Sequence, residues 1–314
     1  MANEKSKAKM VGLLLNSPSV KSLVQEAAVA TRLLKHKWNV VHGYFYVDGV
    51  TGKTREVDIF ATQIWTRNAK PDNHRLNLNL TVECKSLKDF HLVFSETEGS
   101  RDFFLLQGNW IGWELSHPNI LTKRLSECGV PESVMAQVMK QFEEMSYPKE
   151  TMRAAKLHTK APPAAFTASA FRETNIGGER DIDSSVIWKA SQALQAAVSS
   201  FKKTNRDGDF DAIRHAVDFV RDIKSLAPVE TIAREIGRRS ALIDLYHPIL
   251  IVESSLWRLK AASLISLPWC RFVHASLPGA TDWWIDVVSA DHMTEYFDSL
   301  TRYYRSALSV SATL

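Results

Sequence analysis

Leu76-Asn77-Leu78-Asn79-Leu80-Thr81-Val82-Glu83-Cys84-Lys85 alternates apolar and polar residues through Val82 and then ends on a carboxylate, a thiol and an ammonium. A period of two is the pattern of a half-buried strand. Carried to the end of the stretch, it puts Glu83 and Lys85 on one face and Cys84 on the other. Upstream, a polar loop from Arg67 to His74 separates this strand from Arg55 to Ile64, which has an apolar pattern of its own. Before that come turn residues, Asp48 to Gly52, and a run rich in β-branched and aromatic residues, Trp38 to Val47. The two runs read as a β-hairpin. Ser17-Pro18 reads as an N-cap followed by proline at the first helical position, and Val20, Leu23, Val24, Ala27 and Leu34 recur at helical spacing. A helix from Pro18 to Lys37 is expected. The chain therefore opens helix, strand, strand, strand.

Beyond about Gly99 the signals are less regular. A helix is expected at Pro131 to Met145. In Tyr147 to Asp181, Lys149, Arg153, Lys156, Lys160, Arg172 and Arg180 lie among prolines, alanines and Gly177-Gly178, which reads as an insertion with a mobile loop. Helical spacing returns in Asp183 to Lys202 and again in Phe210 to Leu226, so two paired helices are expected. Pro248 to Val252, Arg271 to Ser276 and Trp283 to Val288 read as strands, and His292 to Ala307 as a closing helix. The fold class is α/β, a central mixed β-sheet flanked by helices. Residues 1–98 are expected to form its N-terminal part, 99–180 a largely helical insertion with loops, and 181–314 the C-terminal part that completes it.

Composition sets the outer bounds. A chain of 314 residues with 45% hydrophobic and 24% charged residues has the make-up of a globular protein with a sizeable core. Its three cysteines, Cys84, Cys128 and Cys270, are scattered and odd in number, which argues against a disulfide framework and against a CxxC zinc site. A cytoplasmic setting is expected. Val11 to Leu15 is too short for a signal-peptide core or a membrane span. A formal charge of +4 is compatible with a nucleic-acid partner without requiring one.

The chemistry rests on a few residues. Phosphodiester hydrolysis needs a divalent cation to hold an attacking water and absorb charge on the phosphate, and a hard cation takes oxygens from one or two carboxylates. Asp58 on the hairpin and Glu83 on the next strand can supply them. Lys85 would sit beside the metal-bound water, to deprotonate it or to stabilise the negative charge that develops. Glu-x-Lys alone says little, since a chain of this length holds about one by chance. Its place at the end of an apolar strand, behind a hairpin with Asp58 and a helix with Glu26, says more. Asp222-Ile223-Lys224 has the analogous spacing but falls in a helical pattern, where the two charges diverge.

In that order, with Glu26 on a helix, Arg55-Glu56-Val57-Asp58 on a hairpin and Val82-Glu83-Cys84-Lys85 on a strand, the chain resembles the PD-(D/E)XK, or restriction-endonuclease-like, nucleases over about Pro18 to Lys88. The resemblance implies a restriction-endonuclease-like core. It implies Asp58, Glu83 and the Cys84 backbone carbonyl as metal ligands, Lys85 as the catalytic lysine, Glu26 as an auxiliary carboxylate and Mg²⁺ or Mn²⁺ as cofactor. Val57 stands where many members have proline. Lys189-Ala190-Ser191-Gln192 resembles the core helix on which some members carry an auxiliary glutamine, here Gln192, and His247 to Val252 resembles a later core strand.

Plainer readings stand beside these. Glu26 can be the polar border of an amphipathic helix. Glu56 shares a strand face with Asp58 and is either a second acidic neighbour or a hairpin charge. Lys156, Lys160, Arg172 and Arg180 can grip phosphates or line a solvated loop. Of Trp283 and Trp284, one indole is expected in the core and the other at an interface. The histidines have no HxH or HxxxH spacing, so zinc is not expected. The expected function is Mg²⁺-dependent endonucleolytic hydrolysis of DNA, in a defence system against phage or plasmids that includes partner proteins, with a homodimer favoured if both strands are cut. RNA is the nearer alternative substrate, and a non-catalytic binding protein on the same fold is the rival from another class.

Overall fold

The computed structural model describes residues 2–68, 73–87, 89–96, 106–107, 118–144, 161–162, 164, 166–181, 184–222, 230–232, 234–235, 242–274 and 283–310. Helices α1 (Ala2–Leu15) and α2 (Pro18–Lys35) lead into strands β1 (Asn39–Val47), β2 (Thr54–Asn68), β3 (Asn73–Ser86), β4 (His91–Glu96) and β5 (Leu106–Gln107). Helices α3 (Pro118–Glu127) and α4 (Glu132–Glu144) follow, then β6 (Thr167–Asn175), β7 (Gly178–Glu179) and the long α5 (Val186–Asp222). The chain continues through β8 (Leu242–Glu253), β9 (Leu256–Lys260), β10 (Ser263–Leu267), β11 (Trp269–His274), β12 (Trp283–Ser289) and α6 (Met293–Val310).

These strands form one large mixed sheet in the order β1-β2-β3-β8-β12-β11-β6-β4-β9-β10, with β5 beside β8 and β7 beside β6. β3 lies between an antiparallel neighbour, β2, and a parallel one, β8, which it matches from Arg75↔Leu242 to Ser86↔Glu253. The sheet curls. β4 starts only a few residues after β3 ends, and β9 likewise follows β8, yet β4 and β9 pair with each other at the far side of the sheet order. β6, which pairs with β4, is thereby brought round to the C-terminal end of β3.

Apolar side chains fill both faces. On one, Val29 and Leu33 of α2 and Phe297, Leu300 and Tyr304 of α6 pack on Leu78, Leu80, Val82, Cys84, Ile249 and Ile251. On the other, Ile187, Ala190, Leu194, Ala197, Val198 and Phe201, one stripe of α5 at helical spacing, pack on Tyr46, Tyr246, Leu250 and Val252. The far half of α5 holds α3 and α4 through Ile213, Val217, Leu125, Cys128 and Met135.

Several expectations change. Helix α2 stops at Lys35 because the amides of Lys37 and Trp38 donate back to the carbonyls of Leu34 and Leu33, with Lys37 at φ 63°, a Schellman ending made without glycine. The two expected helices are one, α5. Thr204 to Gly208 looks like a turn in sequence, but Lys203 Nζ meets Asp207 Oδ2 one turn on at 3.1 Å, and Asn205 donates to the Tyr246 hydroxyl at 2.7 Å. Residues 167–175, expected within a loop, form a sheet strand whose alternation is masked because its buried positions include a glutamate, Glu173. Both indoles of Trp283-Trp284 are core residues, one on each face of the sheet. No helix among the described residues is long and apolar enough to cross a membrane.

The β9–β10 hairpin gives a first prediction. Lys260 pairs with Ser263, so Ala261 and Ala262 form a two-residue turn with φ of 46° and 63°. Such turns favour Asn-Gly, because a left-handed backbone crowds a Cβ. Ala262→Gly is expected to stabilise the protein by about 1 kcal/mol, read as a higher urea midpoint at unchanged slope; an unchanged or lower midpoint contradicts it.

Candidate active site

The β2–β3 ladder runs from Asn68↔Asn73 to Ile59↔Val82 and stops there, one step short of Asp58 and Glu83. Alternation breaks at the same point. Val57 packs with the α5 face, whereas Ile59 and Ala61 pack with the α2 face. Gly43 of β1 sits between the paired residues His42↔Ile59 and Tyr44↔Val57, opposite Asp58, at φ 68°. A Cβ there would also lie 2.6 Å from Glu56 Oε1. The left-handed backbone is what favours glycine here, since the exposed Glu56 side chain can swing aside.

Where the ladder ends, a side chain takes over. The Cys84 amide donates to Asp58 Oδ2 at 2.6 Å, in the place of a strand-to-strand bond. The Lys85 ammonium donates to the same oxygen at 3.2 Å and meets Glu83 Oε2 at 2.5 Å. Glu83 is almost fully buried, with its side chain 4% exposed, while Asp58 and Lys85 are 20% and 32% exposed. The cluster is therefore open from the side of Asp58 and Lys85 and closed behind Glu83.

Burial, with Asp58's charge adding and Lys85's ammonium opposing, pushes the Glu83 carboxyl up to about 7. Burial draws Lys85 down, but the carboxylates of Glu83 and Asp58 outweigh it and hold the ammonium above its ordinary range. Burial raises the Cys84 thiol far above its usual value, so it is a packed apolar group and not a nucleophile. The Glu83 shift has a consequence for stability. The folded chain binds this proton more tightly than the unfolded one, whose carboxyl titrates near 4.5. Glu83 contributes most below that pH, and its contribution is lost as pH rises through about 7. The urea midpoint of the metal-free protein should therefore fall between pH 5 and 7.5 (roughly the span of the shift) more steeply than that of Glu83→Gln; parallel profiles would remove Glu83 as the source.

The other expected residues divide. Glu26, on α2, is buried, with its oxygens taken by Ser22 Oγ at 2.9 Å and His42 Nε2 at 2.7 Å; its charge still reaches Glu83 and Cys84. Glu56 is exposed, with its carboxylate over Gly43. Gln192 lies on the exposed side of α5. Arg172, exposed on β6, pairs loosely with Glu179 at 3.5 Å. Arg180 pairs with buried Glu173 at 3.0 Å and lies 4.0 Å from the Phe90 ring centroid. Lys156 and Lys160 fall outside the described residues.

Sequence reasoning missed two neighbours. His42 holds Glu26, and its nearness to Asp58 was latent in the hairpin, since it lies one residue from Gly43. Tyr46 donates to the Ala193 carbonyl of α5 at 3.0 Å, and burial together with Glu83's charge pushes its hydroxyl up to about 12. Among the described residues, no group of three or more His, Cys, Asp or Glu side chains converges closely enough to hold a metal. No protein-family model, curated protein or solved structure matches the chain.

Proposed function

We propose that the chain is a nuclease that hydrolyses DNA phosphodiester bonds with Mg²⁺ or Mn²⁺ on a restriction-endonuclease-like core. The observation that carries this reading is the convergence of Asp58 and Glu83 on the Lys85 ammonium at the end of β3. Their donor set fits a hard divalent cation. Two carboxylates flank the Lys85 ammonium, and the buried one is pushed towards its protonated form by burial and by its neighbour's charge, a repulsion that a divalent charge would relieve. The Cys84 carbonyl is the third oxygen in this reading.

When bound, the cation supplies Lewis acidity at the phosphate and a more acidic water. The chain's own residues do the rest. Asp58 is oriented by the Cys84 amide, which holds its Oδ2. Tyr46 and α5 close the rear of Glu83 against bulk water. Lys85 keeps a positive charge beside the reacting phosphate. There it can stabilise the negative charge that develops on the phosphate. The β1-β2-β3-β8 order, with α2 leading into the hairpin, supports the core assignment. Supercoiled plasmid incubated with the chain and Mg²⁺ or Mn²⁺ is expected to be nicked or degraded, and excess chelator to stop it. Cleavage of RNA alone would move the substrate class, and cleavage of neither would overturn the reading.

A further inference from the structure

A cleft of about 560 Å³ opens between β6, β7, β11 and the start of α5. That volume is in the range of small-ligand sites. Phe171 and Phe272, edge to face at 5.1 Å, and Trp188 supply its aromatic surfaces, while Arg172, Glu179 and Asp181 supply its charges. We propose that this cleft is a nucleotide-binding subsite that takes an unpaired base of a single-stranded nucleic acid, with the ring against Trp188 and its polar edge towards Arg172, Glu179 and Asp181.

The charge pattern selects a base over a phosphate. The start of α5 is already satisfied. Ser185 accepts from the Trp188 amide at 3.0 Å, and buried Glu173 accepts from the Ile187 amide at 2.8 Å, from Arg180 and from Ser185. The positive end of the helix is therefore neutralised by the protein's own carboxylate and offers little to an anion. What remains around the opening is one exposed guanidinium with two exposed carboxylates, donors and acceptors together, beside aromatic rings. A nucleobase edge carries both donors and acceptors, and every base has a face that stacks on an aromatic ring.

Position links the cleft to the triad. Arg180, which lines it, lies over Phe90, five residues beyond Lys85 and so at most about 18 Å of chain away. Ser185 is eight residues, or about 12 Å of helix, from Ala193, whose carbonyl holds Tyr46. A strand of a few nucleotides can reach from one to the other. The subsite thus rests on the nuclease reading for its purpose, but binding alone tests it.

The test is fluorescence anisotropy of the full chain in chelator with a labelled twelve-nucleotide DNA strand (about the upper site size of a single-strand-binding fold), the same sequence as RNA, and its DNA duplex. Binding of either single strand in preference to the duplex is expected. Trp188→Ala should weaken it at least about fivefold, Trp188→Phe should restore most of the loss, and Arg172→Ala, at an exposed position, should weaken it without lowering the melting temperature. Duplex bound as tightly as single strand, or unchanged affinity in folded Trp188→Ala and Arg172→Ala, would overturn the subsite. Binding lost in these variants but no cleavage once Mg²⁺ is added would leave the subsite standing and remove the nuclease reading; cleavage with unaltered binding would do the reverse.

Discussion

Lys85→Ala is expected to lower DNA cleavage by at least about 100- to 1,000-fold, the scale of losing one preorganised stabiliser of developing charge, while leaving the fold intact. The two halves of this expectation have one physical origin. In the wild type the ammonium sits between Asp58 Oδ2 and Glu83 Oε2 and holds down the pKa of a carboxyl that burial pushes up. Without it, Glu83 takes up a proton more readily, so no bare charge is left buried and the melting temperature should move by only about 3 °C. The same protonation deprives the site of one of its two anionic oxygens. Cation binding, read by calorimetry with Mg²⁺, should weaken together with cleavage, and raising the pH should recover part of the binding but not the rate. Asp58→Asn and Glu83→Gln should match the loss in rate. Cleavage unchanged in all three variants would refute the assignment of this cluster.

Asp286→Ala is expected to cost about 3–5 kcal/mol of stability, the penalty for leaving a buried partner charge uncompensated. Arg271 grips Asp286 through Nε at 2.8 Å and Nη2 at 2.9 Å, while His247 Nε2 at 2.8 Å and the Tyr296 hydroxyl at 2.9 Å complete its shell. All four residues are buried, and the Arg271 guanidinium lies 4.3 Å from the Trp284 ring centroid. Burial alone would raise the Asp286 carboxyl, yet the charge of Arg271 and the bond from His247 hold it far below its usual range. Burial lowers His247, so its imidazole is neutral; Nε2–H donates to Asp286 and Nδ1 accepts from Tyr304 at 2.8 Å. Truncating Asp286 takes the carboxylate counter-ion from a buried guanidinium, while His247 keeps the Tyr304 hydroxyl at 2.8 Å and has the Tyr296 hydroxyl at 3.1 Å. The double variant Arg271→Met with Asp286→Leu, which removes both charges, should regain most of the loss, because an apolar pair of similar size replaces a buried ion pair at little cost. Denaturation of the two variants and the wild type decides the matter: a double variant as unstable as the single would place the damage in packing and not in the orphaned charge.

The parts of this fold that could be read in advance are those where local pattern and tertiary role agree. The alternation of Leu76 to Val82 reported a strand with one apolar face, and that face does pack against α2 and α6. Ser17-Pro18 marked the start of α2, and Ser17 Oγ accepts from the Val20 amide. What escaped reading were places where the local signal was overruled. Ala261-Ala262 forms a tight turn without turn residues, so its hairpin did not announce itself. Glu173 is buried at a strand position because Arg180, Ser185 and the Ile187 amide lie in wait for it from later in the chain. At the candidate site, the order of Asp58, Glu83 and Lys85 was legible, but their shared hydrogen bonds depend on a ladder that ends one step early. Period-two reasoning expects such a ladder to continue.

The parallel pairing of β3 with β8 joins residues 167 apart in the chain, as for Asn77 and Asp244. On a ribosome adding about 5–20 residues per second, the strand with Glu83 and Lys85 waits roughly ten to thirty seconds for its partner. During that interval its β8-facing edge has no companion strand, and the pairing that positions the triad cannot exist. If the cluster is the nuclease site proposed above, an incomplete chain carries no assembled site, and the late-arriving half completes it.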